Sequence, residues 1–307
     1  MKLTRRTMMQ GALAGAALGG AGLVPRWSHA TVALGDMSVE TLSDGHLVLP
    51  ADFIFGPMPK DELGPVLQAN GLTPGAELTP ECNLTLLRSD DNVILFDAGS
   101  GPSFQQSAGK LADALDAAGL APEDITHVVF THGHPDHLWG VLDDFDEPFF
   151  YEAQHFIGKA EWDYWIDPKT VDTIEAARTT MAVGAQRRLA AMEDAMTFFE
   201  DGEEILPGVA ARMTPGHTPG HMSFEIRSGS ESVMVIGDAI GNHHVAFARP
   251  GWHSGSDQDR ELGSATRTAL MDQVASEQMR IIGFHLPGGG IGRAEKTADG
   301  YRFVQES

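Results

Sequence analysis

Cysteine and basic residues are scarce in this chain of 307 residues. The single cysteine, Cys82, excludes an internal disulfide even in an oxidising compartment. Its strand-like surroundings predict a buried inert thiol, with a metal-bound or reactive thiol as the alternative. Lys and Arg total 21 against 43 Asp and Glu, which gives a formal net charge of −22. Because such a surface repels phosphate groups, we expect neither a nucleic-acid partner nor docking on anionic lipid.

Long apolar runs are also scarce. The Ala/Gly/Leu-rich run over residues 11–24 is too short to indicate a membrane span with confidence. It follows the pair Arg5-Arg6 and precedes Ser28-His29-Ala30, where small residues suit a signal peptidase. The pattern predicts a twin-arginine export signal over residues 1–30, a periplasmic location and no stable membrane insertion after signal removal. The alternative is an uncleaved N-terminal anchor.

Residues 31–307 show no repeat and no break in composition, which favours one catalytic domain. Residues 36–49 predict a hairpin turning at 43–45, and residues 50–80, rich in Pro and Gly, predict a long loop that rims a pocket. Residues 168–199 are mostly helix-forming. Strand, helix and strand patterns alternate around them, which indicates a layered α/β architecture.

Histidine is concentrated in the segment Thr131-His132-Gly133-His134-Pro135-Asp136-His137. Three imidazoles and one carboxylate within six residues are ligand types that suit zinc and related divalent metals. The apolar run over residues 125–130 predicts a buried strand before this segment, and Pro135 suits the first turn of a helix after it. The sequence therefore predicts metal ligands on a strand-to-helix turn.

Three further ligand candidates, His217, Asp238 and His285, each follow a predicted apolar strand at a glycine-containing turn. Side chains at the ends of strands can converge on one edge of a sheet despite long separation in sequence. With the first segment they make seven candidates: His132, His134, Asp136, His137, His217, Asp238 and His285. One tetrahedral zinc needs three or four protein ligands, so seven suit two ions that share a carboxylate.

The motif His-x-His-x-Asp-His, followed by Gly-His-Thr-Pro-Gly-His, Gly-Asp and a late His, resembles the metallo-β-lactamase-fold hydrolases over about residues 36–303. The resemblance implies a four-layer αββα sandwich with the metal site at one edge of the two sheets. It implies that one metal is held by His132, His134 and His217, and the other by Asp136, His137 and His285. Asp238 would bridge the two ions. His221 would support the ligands from outside. Asp97 follows a predicted buried strand at a glycine turn, where it either caps the turn or accepts an N–H from a metal-bound histidine.

Asp238 stands where β-lactamases of this fold usually have Cys or Ser. In this respect the chain resembles glyoxalase II, quorum-signal lactonases and organophosphate hydrolases, and above all methyl parathion hydrolase and its exported relatives. That resemblance places Phe104 and Trp165 in a pocket for the leaving group and implies a homodimer. Residues 242–244 and 288–290 differ from that group in the substrate region.

The resemblance implies a hydrolase with two divalent ions per chain, for which zinc is expected and iron, manganese and cobalt remain alternatives. A hydroxide between the ions would attack a small-molecule lactone, ester or phosphotriester, and Asp136 would pass a proton to the leaving group. Two other functions stay open. One is an iron-dependent redox enzyme with the same ligands, and the other is a metal-stabilised, non-catalytic binding protein of the periplasm.

Overall fold

The computed structural model describes residues 31–90 and 92–306, so the predicted export signal lies outside the described residues. Its framework is a pair of seven-stranded β-sheets. The strands of the first sheet lie side by side in chain order: β1 (Thr31–Leu34), β2 (Met37–His46), β3 (Glu81–Ser89), β4 (Asn92–Phe96), β5 (His127–Phe130), β6 (Gln154–Gly158) and β7 (Met196–Phe199). Pairing is antiparallel from β1 to β4 and parallel from β4 to β7.

The second sheet contains the strands of the C-terminal half. They lie side by side in chain order: β8 (Glu204–Leu206), β9 (Val209–Met213), β10 (Met222–Ser228), β11 (Glu231–Gly237), β12 (Arg280–Gly283), β13 (Ile291–Lys296) and β14 (Tyr301–Gln305). The pair β11–β12 is parallel, and the other pairs are antiparallel. The parallel pair matters for function, because both of its strands end at the same edge and each is followed by a ligand candidate.

Helices cover the outer face of each sheet. Their bounds are α1 (Ala51–Phe55), α2 (Lys60–Ala69), α3 (Leu111–Ala117), α4 (Pro135–Leu138), α5 (Lys159–Ile166), α6 (Lys169–Thr173), α7 (Thr179–Ala191), α8 (Val245–Ala248) and α9 (Arg260–Ser276). Leu111, Trp165 and Leu189 of α3, α5 and α7 pack on the first sheet, and Leu270 and Val274 of α9 pack on the second. No described helix combines the length and apolar composition that a bilayer span requires.

A third apolar core lies between the two sheets. Val39, Phe96 and Val129 of the first sheet meet Phe224 and Val235 of the second, and the rings of Phe96 and Phe224 are 5.2 Å apart. Side chains alternate between the two faces of a strand, so each sheet contributes to this inner core and to an outer core beneath its helices. The predicted αββα sandwich is thereby confirmed.

Candidate metal centre

The seven ligand candidates lie at one edge of the sandwich and all are buried. The turn after β5 presents the first two histidines, and the four-residue helix α4 presents Asp136 and His137 on its single turn. His217 lies between β9 and β10, Asp238 directly follows β11, and His285 follows β12. Strand ends from both sheets therefore bring together residues that are up to 153 positions apart in sequence.

His132, His134 and His217 form what we call the first cluster. His132 Nε2 is 3.0 Å from His134 Nδ1, which is in turn 2.8 Å from His217 Nε2. A neutral imidazole carries one N–H, so three nitrogens that face one another cannot all be satisfied by mutual hydrogen bonds. Burial lowers the pKa of His132 and of His134, which keeps both rings in the neutral form that binds metal. A cation between the three nitrogens fits this arrangement.

Asp136, His137 and His285 form the second cluster. Asp136 Oδ2 lies 3.2 Å from His285 Nε2 and 3.6 Å from His137 Nε2. Within the described part of the chain, Asp136 Oδ2 and His137 Nε2 are buried without a hydrogen-bond partner. Because buried polar atoms are nearly always paired, these two atoms also point to a cation as their natural partner.

Asp238 contacts both clusters. Its Oδ2 is 3.3 Å from His217 Nε2 and 3.3 Å from His285 Nε2, while its Oδ1 is 3.4 Å from His137 Nε2. Like the atoms of the second cluster, Oδ1 is buried without a hydrogen-bond partner among the described residues. One carboxylate thus faces the histidine nitrogens of both clusters.

The two clusters differ in charge. Burial opposes protonation of His137, but the carboxylates of Asp97, Asp238 and Asp136 outweigh it and raise its pKa to about 10. Burial likewise opposes protonation of His285, and the same kind of contact raises its pKa well above the ordinary value. Both imidazoles therefore lie in strongly negative surroundings that favour a bound cation.

Asp97, at the end of β4, orients His137. Its backbone has φ +68°, a left-handed conformation that few residues other than glycine, asparagine and aspartate adopt. Its Oδ1 accepts the backbone N–H of Thr131 at 2.8 Å, and its Oδ2 lies 2.7 Å from His137 Nδ1. With Nδ1–H donating to Asp97, His137 presents the lone pair of Nε2 to the second cluster.

His221 supports Asp238 through the backbone. Its Nε2 accepts the backbone N–H of Asp238 at 3.0 Å, so Nδ1 carries the proton and donates to Thr214 Oγ1 at 2.8 Å. Burial lowers the pKa of His221 to about 3, which keeps it in this neutral form. Since both nitrogens are engaged, His221 holds the bridging carboxylate in position and does not serve as a ligand.

Glu161 of α5 is a functional residue that sequence reasoning missed. Its carboxylate is fully buried, and Oε1 accepts from Gly133 N at 2.8 Å and from Trp165 Nε1 at 2.5 Å. Oε2 accepts from Thr218 Oγ1 at 2.7 Å and from Gly220 N at 3.0 Å. Glu161 therefore ties together the two loops that carry the first cluster. The only signal in the sequence is that Glu161 directly precedes the aromatic-rich stretch Trp162-Asp163-Tyr164-Trp165.

Asp257 was missed as well. Its Oδ1 lies 3.6 Å from His217 Nδ1, and its Oδ2 accepts two hydrogen bonds from the guanidinium of Arg267, each 3.1 Å long. Arg267 is itself anchored, because it donates to the backbone carbonyls of Pro250 and Trp252. A carboxylate beside the outer nitrogen of a ligand histidine orients the ring and increases its basicity.

A cavity of about 550 Å³ opens onto the two clusters. Its floor includes His134, Asp136, Asp238 and His285. Its walls are largely apolar and include Leu47, Phe53, Ile54, Leu78, Phe104 and Met181. The volume falls in the range of small-molecule sites, and the apolar walls favour a ligand with a hydrocarbon portion.

Of the two residues predicted in the substrate pocket, Phe104 lines this cavity but Trp165 does not. Trp165 is completely buried, and its indole N–H donates to Glu161. A Cβ on Gly133 would come within 2.6 Å of the Trp165 ring, so the indole packs against the backbone of the metal-binding turn. The expectation for Trp165 is therefore corrected: it supports the turn from behind.

The sandwich with a buried histidine–carboxylate centre at one edge defines a class of metal-dependent hydrolases. The chain belongs to the metallo-beta-lactamase superfamily, whose family model matches residues 80–277, and it is a hydrolase of that fold. Among curated relatives, an N-acyl homoserine lactonase of Bacillus sp. is 23% identical over 232 residues, which cover 69% of this chain and 84% of the relative. A probable metallo-hydrolase of Mycobacterium tuberculosis is 26% identical over 235 residues, with coverage of 66% and 70%.

Two solved structures are similar to this chain over nearly their whole length. AidC, a dizinc quorum-quenching lactonase in complex with the product N-hexanoyl-L-homoserine, has a TM-score of 0.84 and 26% identity. The similarity covers 91% of this chain and 98% of AidC. The hydrolase AbOPH of the beta-lactamase superfamily has the same TM-score and coverage at 24% identity, which supports the fold.

Proposed function

We propose that the protein hydrolyses a small lactone, ester or phosphotriester at a dinuclear metal centre. The observation that carries the proposal is the position of Asp238, whose carboxylate lies within 3.4 Å of nitrogens from both clusters. A shared carboxylate of this kind suits two ions about 3.5–4 Å apart, the spacing of two-metal hydrolases.

The buried donor atoms without hydrogen-bond partners fit two divalent ions, for which we propose zinc. The first cluster would hold one ion, the second cluster the other, and Asp238 both. When bound, such ions supply Lewis acidity and a hydroxide at neutral pH. The three surrounding side chains Asp97, His221 and Asp257 keep the ligands in the required tautomer and orientation.

We propose that Asp136 transfers a proton to the leaving group. Its Oδ2 is turned toward His285, and the residue also borders the cavity, which leaves the other carboxylate oxygen to take up a proton and deliver it to the leaving oxygen. Burial of the centre excludes bulk water from this transfer. No nucleophilic side chain is needed.

The cavity supports a substrate with an apolar substituent. Phe53, Ile54, Leu78 and Phe104 would hold a hydrocarbon portion while the reacting carbonyl or phosphoryl group meets the floor. One named relative is an N-acyl homoserine lactonase, and the quorum-quenching lactonase AidC was solved with the product N-hexanoyl-L-homoserine. An acyl lactone is therefore the substrate class that we place first.

The proposal is tested by metal analysis and a substrate panel. We expect about two zinc ions per chain and turnover of acyl lactones or aryl esters, with phosphotriesters and β-lactams as the other members of the panel. The variant Asp238→Ala should lose metal and turnover, whereas Asp113→Ala, an exposed position on α3, should retain both. A fully loaded protein that turns over none of these substrates would contradict the proposal.

A substitution on α7, a helix that borders the cavity, tests whether the apolar substituent of the substrate binds in the cavity. Met181→Trp on α7 should fill part of the cavity and raise KM for long acyl chains more than for short ones. Val183→Trp on the same helix is the matched control, because Val183 is 51% exposed to solvent. Equal effects of Met181→Trp on all chain lengths would show that the substituent lies elsewhere.

We further propose that the protein reaches the periplasm by the twin-arginine route and forms a homodimer there. The pair Arg5-Arg6 and the acidic charge of the remaining chain support export without retention on anionic lipid. Cell fractionation of wild type and of Arg5→Lys/Arg6→Lys, together with light scattering of the secreted form, tests both points. A double variant that still reaches the periplasm would contradict the route, and a monomer would contradict the assembly.

A further inference from the structure

The start of β3 lies against the second cluster. Cys82 is fully buried there, and its Sγ, a carboxylate oxygen of Asp136 and a ring nitrogen of His285 all lie within 4.8 Å of one another. Donors that share one tetrahedral ion with bonds of about 2.0–2.3 Å are roughly 3.5 Å apart, so a common ion would draw this grouping together from separations of up to 4.8 Å. The sulfur thus lies next to Asp136 and His285, two of the three ligand candidates in the second cluster.

The neighbours of Cys82 fasten this strand to the strand that carries His285. On one side, the backbone carbonyl of Glu81 lies 2.7 Å from His285 Nδ1, and the Glu81 carboxylate accepts the backbone N–H groups of Gly288 and Gly289. This contact holds one proton of His285 on Nδ1, so Nε2 would present its lone pair inward when a bound ion takes the place of a second proton. The second ring nitrogen is therefore free to bind an ion.

On the other side, the amide of Asn83 donates to the backbone carbonyls of Phe284 and Leu286 at 3.0 and 2.9 Å. Residues 81 and 83 thus form hydrogen bonds with the segment on both sides of His285. These bonds fix the position of Cys82, which lies between them, relative to the His285 imidazole.

An independent observation comes from Asp136. Its Oδ2 is buried, has no hydrogen-bond partner within the described residues, and is directed at His285 Nε2 at 3.2 Å. A carboxylate oxygen, an imidazole nitrogen and a sulfur thus lie close together in a buried part of the protein. A cation at that point would satisfy all three.

We propose that Cys82 is a sulfur ligand of the ion held by Asp136 and His285, and this inference rests on the metal centre of the proposed function. Binding would form a metal–sulfur bond and release the thiol proton to solvent, with no change in oxidation state. The resulting set of oxygen, nitrogen and sulfur donors would favour zinc, cobalt and cadmium over magnesium or manganese at this position.

The test uses the full chain loaded with Co²⁺, because a thiolate on cobalt produces an intense near-ultraviolet charge-transfer absorption that nitrogen and oxygen ligands do not. Cys82 is the single cysteine of the chain, so such a band can arise from no other thiolate. We expect the band in wild type and its loss in both Cys82→Ser and Cys82→Ala. Cobalt affinity at one of the two ions should fall by about tenfold or more in Cys82→Ala.

The outcomes separate the two proposals. Protein that binds two cobalt ions and hydrolyses substrate without the band would overturn the role of Cys82 and leave the proposed function intact. Protein that binds no cobalt would overturn both. Thermal unfolding of the metal-free variants checks that they fold, and the wild-type spectrum decides the question even if they do not.

Discussion

At the residue scale, the centre depends on buried carboxylates that do not themselves reach the ions. Glu161 accepts three hydrogen bonds from two loops and a fourth from Trp165 of its own helix, and Asp257 lies between one ligand histidine and a buried arginine. Burying a carboxylate costs free energy unless its oxygens accept hydrogen bonds. In both residues the donors are backbone N–H groups or side chains that are themselves held in place. Their contribution is therefore the placement of ligands.

Glu161→Gln tests this placement. Each carboxylate oxygen accepts two donors, so either orientation of the amide would turn an NH₂ group toward groups that also donate. We expect a loss of about 2–3 kcal/mol in the free energy of unfolding and a roughly 10–100-fold loss of metal affinity. Chemical unfolding and chelator competition measure the two. The exposed Glu193→Gln should change neither, and wild-type metal affinity in Glu161→Gln would refute the role.

His155 on β6 makes stability depend on pH away from the metal centre. Burial lowers its pKa from 6.5 to about 4, so on acidification the unfolded chain takes up a proton before the folded protein does. The stability that neutral His155 contributes is fully present above pH 6.5 and is lost as the pH falls toward 4. About 2 kcal/mol of the free energy of unfolding is lost by pH 5. His155→Leu should therefore lose less stability than wild type between pH 7 and 5. The exposed His46→Gln should follow wild type, and parallel curves for His155→Leu would contradict the assignment.

At the element scale, strand ends place the ligands and some connecting segments differ from expectation. The hairpin predicted over residues 36–49 is wrong, because β2 runs through the expected turn to His46. Asp44 does not cap a local turn. Its buried carboxylate accepts backbone N–H groups from Ser100, Gly109 and Leu111, and local sequence carries no trace of such distant donors.

Two further segments were assigned the wrong local structure. Residues 50–80 contain α1 and α2 where a loop was predicted, although the segment does border the cavity through Phe53 and Ile54. The helix expected to continue to Phe199 ends at Ala191, and Met196–Phe199 forms β7 instead. Pairing with the free edge of β6 decides this change, and tertiary pairing of that kind overrides local helix propensity.

Gly237, at the end of β11, is required for the position of Asp238. Its φ is +49°, and a Cβ there would lie 2.6 Å from His221 Nε2, the acceptor for the Asp238 amide. Gly237→Ala should cost about 1–3 kcal/mol of stability and reduce metal content. Gly119→Ala is the matched control, since Gly119 has φ +72° with open space around it.

Comparing Gly237→Ala with Gly119→Ala separates the effect of backbone strain from the effect of displacing His221. Gly119→Ala should cost about 1 kcal/mol and leave metal content unchanged. Equal metal content in Gly237→Ala and Gly119→Ala would show that His221 does not position the bridging carboxylate. Metal analysis after dialysis and thermal unfolding provide the two readouts.

At the scale of the whole molecule, the centre is assembled from both sheets. Ions that bind only the folded state should stabilise the entire sandwich, by about 2.7 kcal/mol when present at 100 times their Kd. Chelation should therefore lower Tm by roughly 5–10 °C, and added zinc should restore it, whereas magnesium should not. Asp238→Ala should show little dependence on chelator. A wild-type Tm that does not respond to chelation would argue against ions that bridge the two sheets.

The sequence by itself was sufficient to predict the fold class and to nominate the seven ligand candidates. It could do so because four of them lie within six residues, and the other three each follow a strongly apolar strand. Short spacing and strand periodicity are local properties, and local properties are what a sequence displays directly. The superfamily match confirms the fold and the hydrolase class that the family resemblance of these motifs implied.

Only the tertiary structure decided which other side chains surround those ligands. Glu161 lies 28 residues from Gly133 and 59 from Gly220, and Cys82 lies about 200 residues from His285, separations at which no sequence period links the partners. The face-to-face packing of the two sheets and their helices brings these residues into contact and buries them. Burial turns ordinary acids and one thiol into groups that need a specific partner. The ligands are therefore visible in the sequence, whereas the side chains that position them become visible only in the folded chain.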